Sequence, residues 1–234
     1  GMTNALTDIE AKDGTSVLHY RIQAEDLGTH HIGNVFVTAG KDASVEAYSF
    51  VFGGGVTRVD VNADLVGPGA SVVLNGLFMA NDNQHIDHHT RVRHRVGQTV
   101  SNENYKGIAD GTGRGVFNGK VIVAEGAQKI EALQSSKNLL LSDRAEIDTK
   151  PELEIYADDV KCAHGATVGQ LDGDALFYLR SRGIDEQSAR GILTFAFAAD
   201  IASDIDIEPL REWLEKRIMA RTQRIGIEEI ENSG

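Results

Sequence analysis

Gly40-Lys41-Asp42-Ala43-Ser44-Val45, Gly67-Pro68-Gly69-Ala70-Ser71-Val72 and Val96-Gly97-Gln98-Thr99-Val100 each set a small-residue corner before a run that alternates polar and apolar residues. Looser echoes follow at Gly126-Ala127-Gln128, Arg144-Ala145-Glu146 and Gly165-Ala166-Thr167. Matching Ala43 with Ala70 and Ala70 with Gln98 gives a nearly constant step, within the ~20–30-residue spacing of stacked coils. A coil cannot bury its own apolar face, so its inward residues lie on the equivalent residues of the next coil, and the corner must repeat. A Greek-key sandwich also uses short strands but does not require a near-constant interval between corners. The pattern predicts a mainly β chain wound as a parallel β-helix.

Outward from these corners, 25 glycines against three prolines and the lack of a helical period before about residue 171 extend the strand-and-corner reading over the first three quarters of the chain. The period then changes. Asp172 is placed to N-cap a helix carrying Ala175, Leu176 and Leu179 and ending at Gly183. Asp185 is placed to cap a second, through Ile192, Leu193, Phe195, Ala196, Phe197, Ala199 and Ile201, apolar nearly all round. Pro209 opens a third, with Leu210, Trp213, Leu214 and Ile218 on one stripe and Arg211, Lys216, Arg217, Arg221 and Arg224 off it. The expected organisation is a β-helix core over 2–170 and a C-terminal α-helical domain over 171–234, with Gly1 an expression scar ahead of Met2.

At 234 residues the chain can bury about 70–75% of its unfolded surface. It needs no disulfide, and its single cysteine, Cys162, can form none internally. With no secretory signal or long apolar span, this points to a cytoplasmic setting. A net charge of −12 argues against nucleic acid or an anionic membrane as partner.

Chemistry-bearing residues concentrate in two places. Lys161-Cys162-Ala163-His164-Gly165 sets a thiol and an imidazole two residues apart, which on a strand share one face about 6.6–6.8 Å apart. One chain would then offer half a metal site. Asn83-Gln84-His85-Ile86-Asp87-His88-His89-Thr90-Arg91-Val92-Arg93-His94 holds four of the eight histidines. As a strand it splits into His85, Asp87, His89, Arg91 and Arg93 on one face and Ile86, His88, Thr90, Val92 and His94 on the other. His85, Asp87 and His89 have the look of a metal ladder, but two arginines on the same face repel a divalent cation, and a hydrogen-bonded stack along the coils is the expectation. Gly53-Gly54-Gly55 and Gly111-Thr112-Gly113-Arg114-Gly115 precede no amphipathic helix and carry no Gly-Lys-Ser/Thr, so they read as corners, not phosphate cradles. Asp158 and Asp159 mark a turn where the inward phase passes from Leu153, Ile155 and Ala157 to Val160, Cys162 and His164.

The run from Leu139 through Pro151-Glu152-Leu153-Glu154-Ile155-Tyr156-Ala157-Asp158-Asp159-Val160-Lys161-Cys162-Ala163-His164-Gly165-Ala166-Thr167 to Gly169, continued by Ala175-Leu176-Phe177-Tyr178-Leu179-Arg180-Ser181-Arg182-Gly183-Ile184, closely resembles the SufD branch of the SufB/SufD family of iron–sulfur cluster assembly proteins. Asn83-Gln84-His85-Ile86-Asp87-His88-His89 resembles it as well, and the likeness covers most of residues 30–225. The resemblance implies a right-handed parallel β-helix with a C-terminal helical domain, and a non-enzymatic scaffold role in a SufBCD complex. It implies pairing with a SufB-like subunit through the β-helices, docking of a SufC-like ATPase at the helical end, and a transient iron–sulfur cluster at the subunit interface. His164 matches the family's histidine in Cys-x-His, and Cys162 its cysteine, as candidate cluster ligands. Arg211, Arg217 and Arg221 become candidate SufC-facing residues. A reduced flavin in the assembled complex, and a homodimer when the chain is alone, belong to the same set of implications. Family members usually carry an N-terminal helical region, so the chain is expected to be a truncated form or a short homologue. Two other readings stay open: a metal-dependent β-fold enzyme using His85, Asp87 and His89, and a structural β-solenoid adaptor.

Overall fold

The computed structural model describes residues 1–222. Six coils each contribute one strand to each of two parallel sheets. The first sheet is built from β1 (Met2–Ala11), β3 (His30–Ala39), β5 (Val56–Leu65), β7 (His85–His94), β9 (Arg114–Val123) and β11 (Glu146–Ile155), in that order. The second runs β2 (Ser16–Gln23), β4 (Ser44–Val51), β6 (Ser71–Asn81), β8 (Val100–Asp110), β10 (Ile130–Leu140) and β12 (Val160–Gly169). The parallel β-solenoid predicted from the corners is the fold. The coil length varies: the step along the chain from His30 to its pair Val56 is shorter than that from Arg114 to its pair Glu146.

The corners explain the repeat. Gly14, Asp42, Gly69, Gln98 and Lys129 all have positive φ, between 52° and 78°. Each lies two residues before one of the mutually paired Ser16, Ser44, Ser71, Val100 and Glu131. One left-handed residue per coil turns the chain into the second sheet. Three of the five are not glycine, each held there at a cost of about 1 kcal/mol by the stack around it. The register also corrects the alignment read from sequence: the residue stacked on Ala43 and Ala70 is Thr99, not Gln98. The Val96–Thr99 corner carries one more residue than small-residue matching allows. Gly54 and Gly111 have positive φ at corners leading into the first sheet, as expected.

Alternation sends Val35, Val59, Val61, Leu74, Phe78 and Phe117 into the lumen between the sheets. In β4, β6 and β8 the alternation fades toward the C-terminal ends, where both faces are buried. The outward side chains there, Tyr48, Phe50, Phe52, Leu77, Met79 and Ile108, form a second core with the helices. Those helices are α1 (Gly173–Ser181), α2 (Glu186–Ala202) and α3 (Glu208–Thr222). Asp172 and Asp185 cap α1 and α2 as predicted, accepting from Asp174 N at 2.9 Å and Ser188 N at 2.9 Å. α2 buries Ala198, Ile201 and Ala202, whose small or compact side chains let it lie close to the sheet, and α3 buries Leu214 and Ile218. Trp213, placed on the buried stripe by sequence, is 43% exposed, because it stands about 100° round the helix from Leu214.

Cations fasten this layer. Lys106, its side chain 6% exposed, donates to Phe197 O at 2.8 Å and Asp200 Oδ2 at 2.5 Å and lies over the Phe197 ring. Arg190 donates to Leu141 O at 2.6 Å. The helices therefore rest on the flank of the second sheet and leave its last strand, β12, outside that packed layer.

Candidate functional site

β12 is an edge strand: β10 pairs with one side of it, and no described strand pairs with the other. Its register matches Ala132 with Cys162 and Gln134 with His164. Ala132 and Gln134 are buried on the lumen side of β10, so Cys162 and His164 face the lumen too, at the mouth left where the coils end. Cys162 is half-buried against the core, while His164 is exposed. Burial pushes the Cys162 thiol up, partly opposed by a hydrogen bond with the backbone of Ala132. The thiol is thus protonated near neutral pH and gives up its proton when it binds a metal. The turn before the strand is braced by Gln128 Oε1, which accepts from Asp159 N at 2.7 Å. Leu153, Ala157, Val160 and Cys162 pack on the core, but Ile155, read as inward, is 39% exposed at the end of the stack.

A thiol and an imidazole supply one sulfur and one nitrogen, short of the four ligands of a closed site. Among the described residues no group of three or more His, Cys, Asp or Glu is placed to hold a metal ion. Any metal or cluster at Cys162 and His164 must draw further ligands from outside these residues.

Behind the mouth lies a polar column that the sequence reading missed. Glu103 on β8, Gln134 on β10 and His164 on β12 are in register on the lumen side. Gln134 Nε2 donates to Glu103 Oε1 at 3.2 Å. Burial pushes the Glu103 carboxyl up to about 7, against the opposing hydrogen bonds of Thr90 and Gln134. The available signal was parity: Glu103 falls between Ser101 and Tyr105, and Gln134 between Ala132 and Ser136, both at inward positions.

The histidine-rich strand β7 divides as predicted, with Ile86, His88, Thr90, Val92 and His94 buried. His88 Nε2 is 3.1 Å from Ser49 Oγ, and its ring lies between Phe78 and Tyr105. His94 sits between Thr99 Oγ1 at 2.7 Å and Ser101 Oγ at 2.9 Å. Burial lowers the His88 pKa to about 3 and that of His94 to about 4, so both are neutral structural groups. On the outer face Asp87 accepts from Arg58 Nη1 at 2.6 Å and pairs with His89 Nε2 at 2.8 Å. Its carboxylate is committed to a cation already, and His85, Asp87 and His89 form no ligand set.

The arginines read onto the third helix diverge. Arg211 donates to Ile205 O at 3.2 Å, and Arg217 is half-buried. Arg221 turns to the sheet, donating to Phe52 O, to Met79 O at 3.4 Å and to Gln84 Oε1 at 3.2 Å, so it holds the helix down. Arg224 lies outside the described residues. No described helix is long and apolar enough to cross a membrane.

The profile of the family described as "SUF system FeS cluster assembly, SufBD core domain" matches residues 1–197. The chain is 38% identical over 219 residues to the iron–sulfur cluster assembly protein SufD of Escherichia coli K12, covering 94% of this chain and 52% of that protein. It is 33% identical over 219 residues to an iron–sulfur cluster assembly SufBD family protein of Synechocystis, covering 94% and 48% respectively. It is also 27% identical over 213 residues to SufD of Bacillus subtilis, covering 90% and 48%. The chain spans about half the length of these relatives.

Proposed function

The chain belongs to the SufBD core family of the SUF iron–sulfur cluster assembly system, and on that premise we propose that it acts as a SufD-type scaffold subunit. The nascent cluster is its cargo, held at the mouth of the last coil. One observation carries this reading: Cys162 and His164 face the open end of the lumen from an edge strand, as an incomplete donor pair. A second subunit docking on that end would complete the coordination sphere. A SufB-like partner fits, because unpaired edges invite strand-to-strand contact and a homologous solenoid would present a matching one. In isolation the same edge favours a homodimer. Ligands shared between chains, one of them a nitrogen, hold a cluster less tightly than an all-thiolate cage, which suits transfer to an acceptor.

The helical unit from residue 171, distinct in this reading from the solenoid over 2–170, is the docking end for a SufC-like ATPase. Arg211 and Arg217 are its candidate contacts, whereas Arg221 serves the helix–sheet junction. The chain carries out no chemistry by itself in this account, and a reduced flavin, where one takes part, acts in the assembled complex in the cytoplasm.

The test is a complex of this chain with SufB- and SufC-like subunits, reconstituted with iron and sulfide. His164→Ala leaves the circular dichroism spectrum and assembly unchanged and lowers bound iron and sulfide severalfold, with a smaller loss for Cys162→Ser. Full iron and sulfide content in the double variant removes the site from this role.

A further inference from the structure

We propose that the outer face of the first sheet carries a small-molecule site, in which Arg91 binds the carboxylate of a polyhydroxylated acid and the carboxamides of Asn34, Asn62 and Asn118 bind its hydroxyls. These four residues line one groove of about 460 Å³, within the range of small-ligand sites, roughly 300–1,000 Å³. The strand period sets Asn34 of β3, Asn62 of β5, Arg91 of β7 and Asn118 of β9 on the outward face, while their chain neighbours Val35, Val61, Val92 and Phe117 are buried in the lumen. Register then sets Asn62 on one side of Arg91 and Lys120 on the other.

The other basic side chains lining the groove are committed. Arg58 donates to Asp60 Oδ2 at 2.8 Å and to Asp87 Oδ2 at 2.6 Å, His89 Nε2 lies 2.8 Å from Asp87 Oδ1, and Lys120 Nζ lies 2.5 Å from Glu154 Oε1. Arg93, next outward along β7, is paired with Asp64 at 2.7 Å. Arg91 is exposed, and its guanidinium meets no carboxylate among the described residues. The half-buried amides of Asn34, Asn62 and Asn118 likewise meet no hydrogen-bond partner among them. Glu154 raises the Lys120 pKa through its hydrogen bond and the charge of Arg91 works against it, so the two cations stand in each other's field. The groove thus offers one unneutralised positive charge and three groups that both donate and accept. A guanidinium takes a carboxylate through two parallel hydrogen bonds. A phosphate monoester, at a charge of about −1.5 to −2, brings more than one guanidinium neutralises and sets the excess beside Asp60 and Glu152. A free cation is repelled by Arg91. Among the described residues no aromatic side chain lines the groove, so it offers hydrogen bonds to hydroxyls and no surface on which a flat ring would stack.

The probe is sodium gluconate, titrated at constant ionic strength into the whole chain with Cys162 and His164 untouched and no cluster or partner present, so the result is separate from that of the assembly reading. The Arg91 Nε–H signal of ¹⁵N-arginine-labelled protein shifts and saturates at millimolar gluconate, and glucose, which has the hydroxyls without the charge, leaves it in place. Followed on the backbone amides of β5 and β7, Arg91→Gln weakens binding about tenfold, the loss of one charge-assisted contact, and Arg91→Lys, which keeps the charge without the fork, falls between. Asn62→Ala weakens it severalfold, while Arg95→Gln, which removes a cation paired with Asp64 outside the groove, leaves it unchanged. The lack of a saturable shift with gluconate overturns the site without any variant. Equal affinity in folded Arg91→Gln overturns the role of Arg91, and tighter binding of glucose 6-phosphate than of gluconate overturns the carboxylate assignment.

Discussion

Glu103 is fully buried in the lumen and accepts from Gln134, and its carboxyl is raised from 4.5 to about 7 by burial. The unfolded chain releases this proton near 4.5 and the folded chain only near 7. Below 4.5 both states are protonated and the group contributes no penalty. Between 4.5 and 7 the folded state binds more protons than the unfolded state, so stability falls as pH rises. Above 7 the full cost of an ionised buried carboxylate is present. At about 1.36 kcal/mol per pH unit this cost is about 3 kcal/mol. Glu103→Gln keeps shape and polarity but cannot ionise, so it removes the slope. His88 and His94, lowered to about 3 and about 4, act in the opposite sense and lose stability as pH falls from 6.5, but they are present in both proteins and cancel in the difference. Urea unfolding of both proteins at pH 5, 6, 7 and 8 and constant ionic strength therefore gives a stability difference that grows with pH and levels off above 7, in favour of Glu103→Gln, by about 3 kcal/mol. Parallel pH profiles for the two proteins refute the argument.

Two further outcomes follow from the packing. Lys106→Met loses about 1–2 kcal/mol in urea unfolding, from the charged hydrogen bonds to Phe197 O and Asp200, while Asp200→Asn loses less because Asp200 is 63% exposed; equal losses contradict this. Gln98→Gly relieves a left-handed residue at φ 60° and raises stability by about 0.5–1 kcal/mol, read as a higher melting temperature, and a lower one contradicts the strain.

Much of the fold was legible because it is written locally. Corner residues recur, β7 alternates, and Asp172 and Asp185 precede helical runs; each is a short-range pattern with its own physical cause. The misalignment of Gln98 with Ala70 came from matching residue types, whereas the stack is set by backbone pairing and admits coils of unequal length. Trp213 went astray because a stripe drawn on one helix does not say which arc of it meets the sheet. Tyr48-Ser49-Phe50-Val51-Phe52 was not singled out as a two-faced strand, since a run buried on both sides shows no period.

The candidate site divides in the same way. Cys162 and His164 on one face of one strand follow from spacing alone, since the strand period is two residues whatever surrounds it. That this face looks into the lumen mouth, with Gln134 and Glu103 in line behind it, depended on which strands stack at what register. The partners lie one and two coils back along the chain, at distances where sequence carries no period, and only the closing of successive coils brings them together.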